Sequence, residues 1–267
     1  MLSDSHVEEL HDFPITDECF SNVNIRGGLC YFRWNGDRND AQTTKVITHL
    51  NGLQTVSERA LKTKDIDIFI RYGQAISILE KIFAGAEANL SEHVSAAKAF
   101  GLRTFFINDS KFHQSKQGLK KPIVCYARGG KIGYVEQEDV LSHQDWIGKW
   151  KVYVPEANNI GTELNDDNLN AFVGAPKTVC TETFLVVGAE IGLDEKSAGN
   201  LAGYLKTRFS RFLLSLAKIS QHGTSKTFRF VPVQDFTQEW TDAKLYAKYG
   251  ITKEEQNFIE SMIKPME

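Results

Sequence analysis

The longest periodic pattern in this sequence is an apolar stripe that begins near Asp194 and ends near Ser220. Large apolar side chains recur there every three or four residues, which is the spacing of an α-helix with one buried face. The stripe consists of Leu201, Leu205, Phe209, Phe212 and Leu216, widened by Ala202 and Leu213. A separate stripe beside it carries Arg208, Arg211, Ser215 and Lys218. The pattern predicts one long helix with distinct core and basic faces.

Carboxylates are absent from this part of the chain. Six lysines and arginines but no Asp or Glu occur from Gly203 to Val231, although the whole chain has a net charge of -3. A second segment, Lys98–Lys131, has Asp109 as its single acid against eight lysines and arginines. Such segments favour either an ordinary solvated surface or a directed positive field that attracts nucleic acid.

Shorter patterns predict a mixture of strands and helices. Asn51-Gly52 between two β-rich arms indicates a hairpin. A buried strand is predicted at Gly27–Trp34, and another strand is predicted at Asp65–Arg71. Further strands are predicted in PIVCYA, KIGYV, WKVYVP and TETFLVVG, and in FRFVPV after the long helix. Further helices are predicted in QAISILEKIF, in LSEHVSAAKAF, and after the caps Thr241 and Thr252. The predicted fold class is α/β or α+β: a mixed twisted sheet with flanking helices and C-terminal helices.

Several functional classes are disfavoured. Four scattered cysteines and dispersed histidines give no zinc-ligand spacing, and they indicate reduced thiols in a cytoplasmic protein. No apolar run reaches the length of a membrane span, and the acidic N-terminus does not resemble a signal peptide. Arg128–Lys131 is interpreted as a hairpin turn, with a phosphate cradle as the alternative. The sequence shows no GxGxxG, P-loop, GxSxG or HExxH motif, so we expect no catalytic residue, metal or cofactor in this chain.

A family resemblance runs through nearly the whole chain, in order. Its segments are GGLCYFRW, DIDIFIRYGQAISILEKI, AKAFGLRTFF, WKVYVPEA, TVCTETFLVVG, YLKTRFSRFLLSLAKISQH and FVPVQDFTQEWTD. Together they resemble the C-terminal part of restriction-modification adenine-specific DNA methyltransferases, type II and bifunctional, in which a target recognition domain follows the catalytic domain. The resemblance implies that residues 1–40 are the end of a missing catalytic domain and that residues 41–267 are the DNA target recognition domain.

This resemblance also implies partners and a site. The partners would be double-stranded DNA and a methyltransferase catalytic domain or subunit, with S-adenosylmethionine bound in that missing domain and no membrane involved. Lysines and arginines would contact phosphates, and the other polar side chains would reach base edges. The candidate DNA-binding residues are Lys98, Arg103, Thr104, Arg128, Lys131, Arg208, Arg211, Lys218, Gln221, His222, Thr224 and Lys226. Two alternatives stay open: a restriction endonuclease-type enzyme with an unrecognised active site, and a protein-interaction remnant.

Overall fold

The computed structural model describes residues 1–23, 25, 27–38, 43–64, 66–160, 169–218, 220 and 222–266. Within them the chain forms a mixed α/β fold with three sheets and five α-helices. The predicted fold class is therefore confirmed. The helices are α1 (Gly73–Ala84), α2 (Glu195–Lys206), α3 (Arg208–Ala217), α4 (Asp242–Lys248) and α5 (Lys253–Met262). No helix in the described ranges is long and apolar enough to cross a membrane.

The first sheet is built from the N-terminal part of the chain. Its strands are β1 (Val7–Phe13), β2 (Leu29–Trp34), β3 (Thr44–Leu50) and β4 (Leu53–Arg59). Their order is β2-β1-β3-β4; β1 and β3 run parallel, and the other neighbours are antiparallel. Asn51 and Gly52 connect β3 to β4 with φ angles of 55° and 73°, as the predicted hairpin requires. Contrary to prediction, β2 is not buried.

Two three-stranded sheets form the rest of the β-structure. The second sheet, of order β10-β7-β8, is antiparallel and contains β7 (Lys151–Pro155), β8 (Phe172–Gly174) and β10 (Phe184–Val187). The third sheet has the order β6-β5-β9 and contains β5 (Pro122–Tyr126), β6 (Ile132–Glu136) and β9 (Thr178–Cys180). In it, β5 pairs antiparallel with β6 and parallel with β9. Strands β5, β6, β7 and β10 agree with predicted ones, whereas β8 and β9 were not predicted.

The second sheet separates two hydrophobic cores. Val152 and Val154 on β7, with Leu185 and Val187 on β10, belong to a core that includes the helices. The alternating residues Tyr153 and Val186 belong to a second core that includes the third sheet. Because successive side chains of a strand point to opposite faces, one sheet can serve both cores.

The predicted long helix is interrupted at Thr207. This residue has φ −60° and ψ 151°, so it ends α2 and caps α3, accepting a hydrogen bond from the Ser210 amide at 3.1 Å. A threonine hydroxyl can satisfy the amides at a helix start, which makes the break favourable. The helix predicted at residues 90–100 is reduced to a 3-10 turn at Leu90–His93, and no strand forms in the described residues 66–71 or 228–233.

Gly133 fixes the packing of the β5–β6 hairpin. A Cβ at this position would lie 2.7 Å from Cε1 of the buried Phe112 ring and 2.8 Å from the His113 carbonyl oxygen. We expect Gly133→Ala to lower the free energy of unfolding by about 2 kcal/mol through overpacking, as measured by urea denaturation. Gly148→Ala is the matched control, since a Cβ there meets nothing within 4 Å. Equal stability of the two variants would contradict this account.

Candidate nucleic-acid interface

A three-residue loop, Thr181–Thr183, lies between β9 and β10 and connects several distant segments. The Thr181 amide donates to the Tyr126 carbonyl at 3.0 Å, and the Glu182 amide donates to the Leu102 carbonyl at 2.8 Å. On the other side, the Glu156 amide donates to the Thr183 carbonyl at 2.9 Å. We call this segment the 181–183 loop. It is attached by its backbone to both predicted basic segments, directly or through Glu156.

The Glu182 carboxylate holds the segment that presents Arg103. Its Oε1 atom accepts hydrogen bonds from the Thr104 amide at 2.9 Å and from the Thr104 hydroxyl at 3.1 Å. Arg103 precedes this anchored residue and is exposed to solvent. The position of Arg103 is therefore defined by a polar contact on the neighbouring residue rather than by its own side chain.

The tip of the β5–β6 hairpin lies at the same end of the third sheet. Tyr126, the last residue of β5, pairs with Ile132 and also accepts the hydrogen bond from Thr181. The Ala127 amide donates to the Lys131 carbonyl at 2.9 Å, which closes the turn. Arg128 and Lys131 are exposed on it. The interpretation of Arg128–Lys131 as a hairpin turn is confirmed.

The second basic segment reaches the loop through Glu156. The Gly223 amide donates to the Glu156 carbonyl at 2.6 Å, and Nδ1 of His222 lies 2.9 Å and 3.1 Å from the two carboxylate oxygens of Glu156. Thr224 and Lys226 follow and are exposed. The Thr224 amide donates to the Thr227 hydroxyl at 3.0 Å, so this turn is held by its own residues.

The chain of contacts from Leu102 through the 181–183 loop to Gly223 is short. Hydrogen-bonded backbone partners lie about 5 Å apart and successive Cα atoms about 3.8 Å, so the path spans at most about 20 Å. Four exposed cations are attached to it, and we call them the basic rim: Arg103, Arg128, Lys131 and Lys226. The fold thus brings together parts of two segments that are far apart in sequence.

Three other predicted cations interact with groups of the same chain. Arg211 is 1% exposed; its Nε donates to the Lys206 carbonyl at 3.0 Å and its Nη2 to the Lys264 carbonyl at 2.6 Å. Lys218 is also buried, with Nζ 2.8 Å from Oδ1 of Asn158. Arg208 is partly exposed and forms an ion pair with Glu260 at 3.5 Å. The prediction that Arg211 and Lys218 form a solvent-facing basic stripe is therefore wrong, because α3 is packed on several sides.

The structure gives less information about the remaining candidate residues, Lys98 and Gln221. Lys98 lies in the turn before Arg103, where its carbonyl accepts a hydrogen bond from the Gly101 amide at 2.9 Å. Gln221 lies outside the described residues. Arg229, which was not a candidate, forms an ion pair with Asp67, and this hydrogen bond lowers the pKa of the Asp67 carboxyl.

Sequence reasoning missed the residues that organise this interface. Glu156, Thr181, Glu182 and Thr183 were not candidates, although they join the two basic segments. The available signal was the polar triplet Thr-Glu-Thr between two apolar runs, which marks a turn at the end of a strand. In the described ranges no group of three or more His, Cys, Asp or Glu residues could hold a metal ion.

Comparisons with known proteins give little further information. No family model matches the chain, and no curated protein matches it. A solved structure described as "Characterization and crystal structure of the type IIG restriction endonuclease BpuSI" is similar to it with a TM-score of 0.37 and 8% sequence identity. The alignment covers 98% of this chain and 44% of that one. This is a weak structural similarity, to a chain of which ours spans less than half.

Proposed function

We propose that this chain is the sequence-specific double-stranded DNA recognition module of a restriction-modification adenine-specific DNA methyltransferase. The observation that carries the proposal is the basic rim, in which Arg103, Arg128, Lys131 and Lys226 are gathered around the 181–183 loop. Sequence resemblance to such methyltransferases supports the enzyme class. Residues 41–267 form the recognition domain in this proposal, and residues 1–40 belong to the end of the catalytic domain.

The contact path that carries the basic rim is comparable in length to a short stretch of duplex. Phosphates of one strand are spaced about 3.4 Å along the helix axis, so the path of about 20 Å between Leu102 and Gly223 corresponds to about six of them. The four rim cations would hold the phosphates, and these contacts carry no sequence information. Thr104, His222 and Thr224 belong to the same segments as Arg103 and Lys226, and in this proposal they supply the polar groups that read base edges.

The proposal divides the work of methylation between two parts. This chain supplies affinity for the duplex and recognition of its sequence. The catalytic domain or subunit binds S-adenosylmethionine and receives the target adenine, which is flipped out of the duplex. Glu182 and Glu156 are the two carboxylates on the path of contacts that connects the rim cations. Each is engaged with a protein group, Thr104 or His222, and their role is to position the segments that carry the cations.

A salt titration of a single rim variant tests the proposal. We expect Lys226→Ala to weaken binding to all duplexes alike, because its ammonium contacts a phosphate. The slope of log K against log salt should become shallower by about 0.9, the value for one lost phosphate contact. The measurement is fluorescence anisotropy of a labelled duplex between low and moderate salt.

The matched control is Lys253→Ala, which removes another exposed lysine, at the start of α5, a helix that contacts α1 through Glu255. Its slope should equal that of the wild type. Selection from a pool of randomised duplexes should enrich one sequence. Absence of duplex binding, or an equal change of slope in both variants, would overturn the proposed DNA surface. Binding without enrichment would overturn its sequence specificity.

A further inference from the structure

Strand β2 is an edge strand with an unusual composition. It lies at one end of the first sheet and pairs only with β1 within the described part of the chain. Its sequence is Leu-Cys-Tyr-Phe-Arg-Trp. Tyr31 is 50% exposed, Phe32 45% and Trp34 55%. Three large aromatic side chains of one short strand are therefore in contact with solvent.

An exposed apolar edge is a template for pairing with another strand. About half of the backbone N–H and C=O groups of an edge strand point away from its partner and are available for a new ladder. Proteins normally protect such edges with charged residues or proline. The other edge of this sheet, β4, has the largely polar sequence Leu-Gln-Thr-Val-Ser-Glu-Arg. Strand β2 has one charged residue, Arg33, and no proline.

The charge of β2 indicates what kind of strand it accepts. Nε of Arg33 lies 3.2 Å from a carboxylate oxygen of Glu8 in the same chain, so this charge is balanced internally. The edge as a whole thus presents aromatic side chains and no net charge. Its complement is a strand that is itself aromatic and neutral, and β2 has that composition.

We propose that β2 pairs antiparallel with β2 of a second copy of this chain, forming one continuous sheet across a two-fold axis. If the axis is perpendicular to the sheet, two residues that pair across it must project from the same side of the sheet. Because side chains alternate between the two sides, both residue numbers of a pair must be even or both must be odd. With Phe32 on the axis, Tyr31 faces Arg33 of the second copy and Cys30 faces Trp34. This register places each guanidinium beside an aromatic ring and opposes no like charges.

A charge-swap experiment on the full chain tests this pairing. Sedimentation equilibrium of the wild type should show a dimer at micromolar concentration. Phe32→Lys and Phe32→Asp should each raise the dimer Kd about tenfold or more, since each places two like charges opposite one another. An equimolar mixture of the two variants should recover dimers, because Lys then faces Asp. This recovery requires folded protein, so it separates loss of pairing from loss of fold.

Leu53→Asp is the matched control, since Leu53 is an exposed apolar residue on the opposite edge strand. It should leave the dimer Kd unchanged. Hydrogen exchange of the wild type provides a measurement without variants: β2 amides should become more protected as concentration rises. A wild-type chain that stays monomeric, a mixture that stays monomeric, or dimers lost with Leu53→Asp alone would overturn the proposal.

Discussion

Arg211→Ala is expected to lower the free energy of unfolding by about 3 kcal/mol while leaving the salt dependence of DNA binding unchanged. The Arg211 guanidinium is buried and donates to the carbonyls of Lys206, at the end of α2, and of Lys264, after α5. Its loss removes hydrogen bonds from a charged donor and leaves a cavity, and each effect costs more than 1 kcal/mol. Urea denaturation measures the first quantity, and duplex anisotropy at several salt concentrations measures the second.

Arg103→Ala is the control for this prediction, since Arg103 is exposed. Its free energy of unfolding should change by no more than about 0.5 kcal/mol, whereas its salt slope should become shallower by about 0.9. The two arginines should therefore have opposite phenotypes. If Arg211→Ala kept wild-type stability and made the salt slope shallower, we would conclude that α3 contacts DNA and that Arg211 is not buried.

Removing all four cations of the basic rim should nearly abolish DNA binding. With Arg103, Arg128, Lys131 and Lys226 replaced by alanine, the slope of log K against log salt should become shallower by about 3.6. At about 0.15 M salt this corresponds to an affinity about a thousandfold lower. The four side chains are exposed, so we expect the variant to stay folded, which circular dichroism checks.

A charge-preserving variant is the sharpest control for this result. It exchanges the side chains in place: Arg103→Lys, Arg128→Lys, Lys131→Arg and Lys226→Arg. Because counterion release depends on the number of charges near the phosphates, its salt slope should match that of the wild type. An alanine variant that binds DNA as tightly as the charge-preserving one would show that the rim does not face the duplex.

Local features of the fold were predicted well from the sequence. The Asn51-Gly52 hairpin, the Thr241 cap of α4 and the capping box formed by Thr252 and Glu255 are all present. Each depends on backbone conformations or hydrogen bonds within a few residues. Such interactions are encoded by neighbouring side chains, so a local pattern is sufficient to identify them.

The continuous helix over residues 194–220 was wrong for a reason that periodicity cannot detect. The apolar spacing continues across Thr207, but the backbone changes direction there, so α2 and α3 contact different neighbours. Periodicity assigns a single buried face to each helix. Helix α3 instead packs against α2, α4, α5 and the turn at Ser225–Phe228, so Arg211 and Lys218 of the basic stripe are also covered.

The organisation of the candidate interface depends on contacts between distant residues. Glu182 and Thr104 are 78 positions apart, and His222 and Glu156 are 66 apart. No composition or spacing rule links such pairs in a single sequence. The basic segments could be recognised in the sequence by their charge. The loop that brings their exposed cations together forms only when β5 and β9 pair.

The sheet shared by the two cores has a consequence for how a ligand would affect this protein. Strands β7 and β10 form a wall for both cores, and the 181–183 loop leads directly into β10. If a fragment lacked β7 or β10, each of the two cores would be exposed to water on one side. A molecule that binds the 181–183 loop only in the folded protein stabilises every part of the chain that unfolds together with this loop. Occupancy at the rim would therefore raise the melting temperature of both cores together rather than protect one half of the chain.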